Sequence, residues 1–212
     1  MKIVNASGIA LFLLAASTLF APVQAQNQVT DLAAPSVPVP VAGPRVSLET
    51  SLGKVVIELY PEKAPRTVAN FLAYVRDGHY NGTVFHRVIS NLLIQGGAFT
   101  PDLQQKPERA PIANEANNGL SNLRGTVAAA RRPSEKDSAT AQFFINTVDN
   151  RQLDFRGEAP PVSTGYCVFG RVVEGMDVVD KIRAKPTVTR APFAADVPSA
   201  PILIERASLI EP

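Results

Sequence analysis

Eight short apolar runs recur between residue 45 and the C-terminus, and they limit the folds open to this chain more than any other feature. In order, they read RVSLET, KVVIELY, TVFHRVI, LLIQGG, TVAAA, AQFFINT, YCVFGRVV and ILIERASLI. β-Branched and aromatic residues fill them, often at alternate positions, which is typical of strands with one buried face. So many short strands favour a closed or nearly closed β structure, because closure leaves few unpaired strand edges.

Two further stretches, APRTVANFLAYVRDG and EGMDVVDKIRA, have helical spacing instead. Their apolar residues recur every three or four positions, as on one face of an amphipathic helix. These positions are Val68, Phe71, Leu72 and Val75 in the first stretch and Met176, Val179 and Ile182 in the second. Pro65 suits the first turn of the first helix, and Gly78 suits its C-terminal stop. We therefore expect a mainly β domain with two α-helices packed on it.

The first 25 residues have the pattern of a cleavable secretory signal. One lysine precedes the thirteen-residue apolar block GIALFLLAASTLF, and small residues at Val23 and Ala25 mark a cleavage site after Ala25. An uncleaved anchor is the alternative, but this block would span only about 20 Å as a helix, against roughly 30 Å of bilayer core. We therefore predict export from the cytoplasm, with no stable membrane insertion after cleavage.

Residues 26–44, QNQVTDLAAPSVPVPVAGP, contain four prolines and almost no charge. This composition is typical of an extended, semi-rigid linker rather than part of a packed domain. The expected organisation is a signal peptide over residues 1–25, a proline-rich linker over 26–44 and one folded domain over 45–212.

Charge and cysteine content exclude several classes of protein. The chain has 21 Lys and Arg against 19 Asp and Glu, with no basic run, so no nucleic-acid partner is predicted. Its single cysteine, Cys167, excludes an intramolecular disulfide, and we interpret it as a small buried apolar residue rather than a nucleophile. Two histidines and one cysteine are too few for a usual zinc site, so no metal is predicted.

The polar turns carry no familiar catalytic motif. HExxH, GxSxG and phosphate-binding glycine-rich sequences are all absent from the chain. Asp137, Asp149 and Asp154 lie in polar, turn-like stretches, and we interpret them as solvated loop charges.

The run FHRVI places two polar side chains inside an apolar strand. His86 and Arg87 are costly to bury without partners. Either one face of this strand is exposed to solvent, or the strand holds a fixed cation that has a functional role. Strict alternation would put Phe85 and Arg87 on one face and His86 on the opposite one. The residues of this run alone leave both possibilities open.

Alternation gathers further polar side chains on neighbouring strands. Gln95 lies in LLIQGG, and Gln142 and Phe144 share one face of AQFFINT. Together with Arg87, they would give a surface with one cation, two amides and an aromatic wall, as in a binding groove. Amphipathic strands that face solvent explain the same pattern, and the residues alone leave both interpretations open. The long aperiodic segment from residue 98 to 125 is typical of a functional loop.

Several linked motifs resemble the cyclophilins, in the family's order and at similar spacing. They are FHRVI (85–89), IQGG (94–97), NE (114–115), RGTVAAAR (124–131), SATAQFFIN (138–146), LD (153–154) and VFGRVVEGMDVVDKI (168–182). The resemblance covers residues 45–212 and is strongest to the exported bacterial cyclophilin-type peptidyl-prolyl isomerases. It implies a closed eight-stranded antiparallel β-barrel capped by two α-helices, with a groove on its outer face. It also implies cis/trans isomerisation of Xaa-Pro bonds in polypeptides, without a metal or organic cofactor.

The resemblance assigns roles to ten residues. Arg87 matches the catalytic arginine and Gln95 its hydrogen-bonding neighbour, so we interpret His86 as a structural histidine. The positions that match substrate-binding residues are Leu92, Leu93, Ala130, Arg131, Gln142, Phe144, Leu153 and Tyr166. Phe144 and Leu153 match walls of the proline pocket. The positions that match holders of the flanking peptide backbone are Ala130, Arg131 and Gln142.

The sequence departs from the family's pattern around this pocket. Leu92 and Leu93 replace a Phe-Met pair, Ala129 replaces a Met, Gln152 stands where a Trp or Phe is common, and segment 155–165 is longer and richer in proline. We therefore expect a wider, less aromatic pocket. Because apolar burial contributes about 25 cal/mol per Å², the enzyme should be active but bind its substrate more weakly.

A non-catalytic peptide-binding module or periplasmic chaperone on the same barrel is the competing hypothesis. Retention of Arg87, Gln95 and Gln142 favours the enzyme, whereas the substitutions at Leu92 and Gln152 favour the binder. We predict a monomeric peptidyl-prolyl cis-trans isomerase that acts on proline-containing polypeptides during the folding of exported proteins. Arg87 would stabilise the twisted imide without covalent chemistry.

Overall fold

The structure of the protein, a computed structural model, describes residues 43–210. The predicted signal peptide and nearly all of the predicted linker lie outside the described residues. The strands are β1 (Arg45–Thr50), β2 (Gly53–Leu59), β3 (Thr83–Ile89), β4 (Leu93–Gly96), β5 (Thr126–Ala129), β6 (Phe143–Asn146), β7 (Val168–Glu174), β8 (Thr187–Arg190), β9 (Phe193–Pro198) and β10 (Leu203–Ile210). The helices are α1 (Pro65–Arg76) and α2 (Met176–Arg183), and two short 3₁₀ turns cover Arg151–Leu153 and Pro161–Thr164.

Eight of these strands close into an antiparallel barrel. Their order around it is β1, β10, β3, β4, β6, β5, β7 and β2, and β2 pairs again with β1. Among the described residues, strands β8 and β9 pair only with each other and form a separate two-stranded ribbon. The expected closed eight-stranded barrel with two α-helices is confirmed.

Strand alternation fills the interior of the barrel. Val46 and Leu48 on β1 lie opposite Ile57 and Val55 on β2, and all four side chains are fully buried in one cluster. Burying an aliphatic or aromatic side chain contributes about 1.5–3 kcal/mol. The lone Cys167 forms no disulfide, so this core supplies the stability of the domain.

Helix α1 covers one side of the core with the predicted face. The buried apolar residues of this face are Val68, Phe71, Leu72 and Val75. Pro65 is the first residue of the helix, and Gly78 follows its end in the left-handed region, with φ of 65°. The apolar face of α2 is buried in the same cluster. Within residues 43–210, no helix is long and apolar enough to cross a membrane.

Cys167 is a buried structural residue, as predicted. Its side chain is buried among core residues, with Sγ 3.5 Å from the hydroxyl oxygen of Thr67. Burial raises the pKa of the Cys167 thiol to about 11, so it stays protonated and unreactive at neutral pH.

A bulge in β3 changes which side chains point outward. Phe85 pairs with Gly96 on β4 and Arg87 pairs with the adjacent Gln95, so His86 is an extra residue in the ladder. Phe85 therefore enters the core cluster, whereas both His86 and Arg87 lie on the outer face. The expectation from strict alternation, with Phe85 and Arg87 on one face and His86 opposite, is wrong for this reason.

The ribbon of β8 and β9 was not predicted from the sequence. All four residues of β8 are exposed, so this strand has no apolar alternation to reveal it. On β9, Val197 is buried with Val84 of β3 in a small cluster outside the barrel, and Phe193 packs against this cluster. The ribbon is thereby fixed against the outer face of β3.

Candidate active site

The groove on the outer face of the barrel brings together all ten predicted site residues. It has a volume of about 650 Å³ and is built from strands β3, β4 and β6 and the loops around them. The predicted residues that line it are Arg87, Leu92, Leu93, Gln95, Ala130, Arg131, Gln142, Phe144, Leu153 and Tyr166. The long segment after β4 also lines the groove, through residues that include Phe99, Glu108 and Pro111. The predicted residues therefore line a groove rather than a strand face that is simply exposed to solvent.

One end of the groove is an apolar pocket. Leu93 and Phe144 are buried at its base, where they cluster with Ala128 and Val168. Four half-buried side chains complete the walls: Leu92, Ala130, Leu153 and Tyr166. The rings of Phe144 and Tyr166 meet edge to face, with centroids 5.6 Å apart. Such a concave apolar surface suits a small ring.

Arg87 supplies the cation beside this pocket. It lies on β3, and 43% of its side chain is exposed. Its Nε lies 3.6 Å from Oδ2 of Asp196 on β9, and its guanidinium donates no hydrogen bond within residues 43–210. The terminal amino groups of Arg87 are therefore free to donate to a bound peptide.

Gln95 lies across the ladder from Arg87 but bonds to a different partner. The family resemblance implies a hydrogen bond between Gln95 and Arg87. In the structure, Nε2 of Gln95 instead donates to Oε1 of Gln142, at 2.9 Å. This bond leaves the Gln142 amide nitrogen available to the groove.

The guanidinium of Arg131 is occupied by the protein itself. It donates from Nε to the carbonyl of Gly165 at 2.8 Å and from one terminal nitrogen to that of Pro161 at 2.9 Å. It also stacks over the ring of Tyr166, at 4.7 Å from the centroid. The Arg131 side chain therefore holds the groove wall, and only its backbone remains for contact with a peptide.

His86 is structural, although it lies on the same side of the strand as Arg87. Its ring stacks on Phe193, with centroids 5.2 Å apart, and contacts the edge of Phe99. Its Nδ1 is buried without a hydrogen-bond partner within residues 43–210. Burial and then the adjacent charge of Arg87 lower the pKa of His86 to about 4. The imidazole is therefore neutral at neutral pH and adds no second charge beside Arg87.

Two of the four single-residue departures from the family pattern do not line the pocket. Ala129 belongs to the cluster inside the barrel, and the exposed Gln152 donates to Oδ1 of Asn150 at 3.1 Å. Only Leu92 and Leu93 contribute to the groove wall. The expectation that all these positions surround the pocket is thus wrong for Ala129 and Gln152.

Asp154 is not the solvated loop charge that we expected. It accepts hydrogen bonds from the backbone and side-chain N–H groups of Asn122, at 2.7 and 3.0 Å, and from the hydroxyl of Ser121. Burial alone would raise the pKa of Asp154, but these hydrogen bonds outweigh it and lower the pKa below its ordinary value. Asp154 thereby fixes the turn that carries the adjacent Leu153.

Sequence reasoning missed several groove residues. Phe99 and Glu108 lie in the aperiodic loop, and Phe193 lies on the unpredicted ribbon. Asp196, on the same strand as Phe193, does not line the groove but lies beside Arg87. The available signal was Phe193, the one aromatic residue in the stretch between α2 and β10. Proximity to Arg87 could not be predicted for these residues without the ribbon.

Comparisons with known proteins agree with this geometry. Residues 45–209 match the family model described as cyclophilin type peptidyl-prolyl cis-trans isomerase. The chain is 55% identical over 165 residues to a peptidyl-prolyl cis-trans isomerase of Streptomyces antibioticus, covering 78% of this chain and 98% of that protein. It is 52% identical over 166 residues to peptidyl-prolyl cis-trans isomerase B of Escherichia coli (strain K12), covering 78% and 99%. A crystal structure of a cyclophilin type isomerase from Cryptosporidium parvum has the same fold, with a TM-score of 0.64 at 22% identity, covering 80% of this chain and 98% of that one.

The chain therefore belongs to the cyclophilin family of peptidyl-prolyl cis-trans isomerases. It is an enzyme that accelerates rotation about Xaa-Pro peptide bonds, and its substrates are proline-containing polypeptides. The roles of the individual groove residues remain predictions.

Proposed function

We propose that this enzyme isomerises Xaa-Pro bonds in exported proteins during their folding, with Arg87 as the catalytic residue. The position of Arg87 carries the proposal. Its guanidinium lies in the groove beside the apolar pocket and donates no hydrogen bond to another described residue. A free donor beside a pocket for the proline ring is what this reaction requires of a side chain.

The reaction breaks no covalent bond. Resonance gives rotation about the imide a barrier of about 18–20 kcal/mol, and uncatalysed Xaa-Pro exchange takes tens to hundreds of seconds. In the twisted state this resonance is lost and the nitrogen regains its lone pair. A guanidinium that donates to the substrate around the twisted prolyl group lowers the barrier only if it binds that state more strongly than the planar ones.

The pocket and the amides hold the substrate around this donor. Leu93, Phe144 and the half-buried side chains around them would enclose the proline ring and exclude water. The backbone of Ala130 and the free amide nitrogen of Gln142 would bind the flanking peptide. The arrangement would hold the prolyl group in place while the imide bond twists.

Arg87 alone does not account for the whole acceleration. A charge-assisted hydrogen bond worth roughly 1.5–3 kcal/mol more in the twisted state gives on the order of ten- to a hundredfold. Fixed geometry and exclusion of water in the apolar pocket would supply the rest.

A protease-coupled assay on an Ala-Pro tetrapeptide tests the role of Arg87. We expect Arg87→Ala to lose most of the activity. Arg206→Ala, which removes an exposed arginine of β10 paired with Glu49, should keep it. Equal thermal stability of the variants would show that both are folded. Full activity of Arg87→Ala would disprove its role, and a wild type no faster than the uncatalysed reaction would favour a non-catalytic binding module.

Export is supported by the sequence of the first 25 residues. We infer that cleavage after Ala25 releases a periplasmic protein whose proline-rich segment, residues 26–44, precedes the barrel. Mass spectrometry of the protein recovered from the periplasm should give a chain that begins at Gln26. Leu13→Arg, which interrupts the apolar block, should leave the chain unprocessed and cytoplasmic. Normal processing of this variant would contradict the inference.

A monomer suffices for this function. All ten predicted groove residues come from one chain, so no second copy is needed to complete the site. Light scattering after size exclusion should give the mass of a single chain at micromolar concentration. A stable dimer would show that this part of the proposal is wrong.

A further inference from the structure

The ribbon of β8 and β9 places a carboxylate beside Arg87, and we propose that Asp196 is a positioning residue for this arginine during isomerisation. Oδ2 of Asp196 lies 3.6 Å from Nε of Arg87. This inference rests on the catalytic role proposed above for Arg87. It assigns the ribbon a part in the reaction rather than in the stability of the barrel.

The backbone of β9 is distorted where it presents this carboxylate. Val188 pairs with Val197 and Arg190 pairs with Phe193, so three residues of β9 lie opposite the single Thr189. Within this bulge Asp196 has φ of 66°, a left-handed conformation that few residues other than glycine, asparagine and aspartate adopt readily. Bulges beside active sites often redirect a side chain, and here the redirected side chain faces Arg87.

The ribbon is anchored on both sides of Asp196. Before it in the chain, the ring of Phe193 stacks on His86 at a centroid distance of 5.2 Å. After it, Val197 is buried with Val84 of β3. Apolar contacts on either side therefore hold the Asp196 carboxylate in place, whereas the arginine that it faces is long and flexible.

The bulge in β3 serves the same contact. The extra residue, His86, turns outward and forms the surface on which Phe193 packs, and the next residue is Arg87. Two irregular strands thus meet at one point, with the arginine on one and the aspartate on the other. Irregular backbone of this kind is expected where the fold must hold a side chain in one particular direction.

The ion pair can orient Arg87 without using the terminal amino groups of its guanidinium. The side chains of Arg87 and Asp196 are 43% and 35% exposed, and an ion pair of that exposure contributes little to stability. Because the carboxylate lies near Nε, it restrains the guanidinium plane and leaves the terminal amino groups open to the substrate. Restricting the side chain to its reactive orientation raises the rate of the chemical step.

Asp196→Asn tests this role, because asparagine has the same size and also tolerates the left-handed backbone. Rates should be measured on the full mature protein over a range of peptide concentrations. We expect kcat to fall by about three- to tenfold with KM within about twofold of the wild type, as for loss of an interaction made in the transition state.

A matched control removes a carboxylate from another exposed arginine pair. Glu49 of β1 pairs with Arg206 of β10 at 2.7 Å and neither residue lines the groove, so Glu49→Gln should leave kcat unchanged. An NMR spectrum of the arginine Nε–Hε groups gives a readout that does not depend on activity. The Arg87 signal, identified by its loss in Arg87→Lys, should move and exchange faster with water in Asp196→Asn.

The outcomes separate this inference from the proposed function. If Asp196→Asn has the wild-type kcat or a higher one, or if the Arg87 signal does not move, Asp196 does not position Arg87. This conclusion about Asp196 would hold even if the Arg87→Ala variant were inactive. If Arg87→Ala is as active as the wild type, Arg87 is not the catalytic residue, and the inference about Asp196 fails with it. A shift of the Arg87 signal in Asp196→Asn would then report only a surface contact.

Discussion

Gln95 on β4 donates a hydrogen bond to Gln142 just before β6, and the same Gln95 lies opposite Arg87 on β3. The two amides therefore connect the strand of the arginine to the strand that carries Phe144. Because the oxygen of Gln142 accepts this bond, the nitrogen of that amide is left to donate in the groove, which Gln142 lines. We expect the pair to act as one unit in holding a peptide.

Replacing either glutamine of the Gln95–Gln142 pair should lower activity. Gln95→Leu and Gln142→Leu should each reduce kcat/KM by about five- to tenfold, since a hydrogen bond contributes on the order of 1 kcal/mol. The double variant should lose little more than either single variant, because both remove the same unit. The protease-coupled assay measures these effects. Losses that multiply in the double variant would show that the two amides act independently.

The groove wall should accept a larger apolar side chain at Leu92. This residue is half-buried at the edge of the pocket, and Leu92→Phe would add apolar area near the proline ring. About 30 Å² of added burial lowers KM for an Ala-Pro peptide by about threefold, at roughly 25 cal/mol per Å². The control is Leu209→Phe, the same change at an exposed position of β10 that does not line the groove. Equal KM values for both variants would mean that the wall at Leu92 does not touch the substrate.

Loss of the Arg131 guanidinium should loosen the loop that carries Tyr166. Arg131→Ala removes the hydrogen bonds to Gly165 and Pro161, so the free energy of unfolding should fall by about 1–2 kcal/mol. Limited proteolysis should then cut within residues 155–165 before the barrel unfolds.

The neighbouring arginine provides a matched control for this prediction. Within residues 43–210 the Arg132 guanidinium pairs only with Glu135, and both side chains are more than half exposed, so Arg132→Ala should change the free energy of unfolding by less than about 0.5 kcal/mol. Thermal denaturation compares the two variants. Equal stabilities would contradict a structural role for the Arg131 side chain.

The barrel and the groove could be predicted because their signals are local. Alternating apolar residues mark each barrel strand, and the helical face of α1 is read directly from Val68 to Val75. Seven of the ten groove residues lie within motifs whose order and spacing resemble one family, and Leu92, Leu93 and Tyr166 lie within two residues of such a motif. Their positions on neighbouring strands then follow from the barrel.

The contacts around Arg87 could not be predicted because they depend on irregular backbone. Alternation assigns Phe85 and Arg87 to one face, and only the bulge at His86 separates them. β8 is wholly exposed and has no apolar period, so its pairing with β9 left no trace in the sequence. Asp196 reaches Arg87 through both irregularities, and neither has a signature in residue type alone.

His86 should make the stability of the protein depend on pH. Its pKa is lowered to about 4 in the folded state, against about 6.5 in an unfolded chain. Between these values the unfolded chain binds a proton that the folded protein does not, so stability falls as pH decreases from about 6.5 towards 4. The shift corresponds to on the order of 3 kcal/mol at the acid end.

The variant His86→Leu isolates this contribution, because it removes the titrating group and keeps a similar volume against Phe99 and Phe193. Near pH 7 the variant should be about as stable as the wild type, since the replaced Nδ1 has no hydrogen-bond partner within residues 43–210. Urea denaturation at a series of pH values gives the difference between the two proteins. His79 and the carboxylates are present in both, so their contributions cancel. The wild type should fall below the variant as pH decreases from 6.5 to 4, and parallel curves would mean that His86 is not the group that limits acid stability.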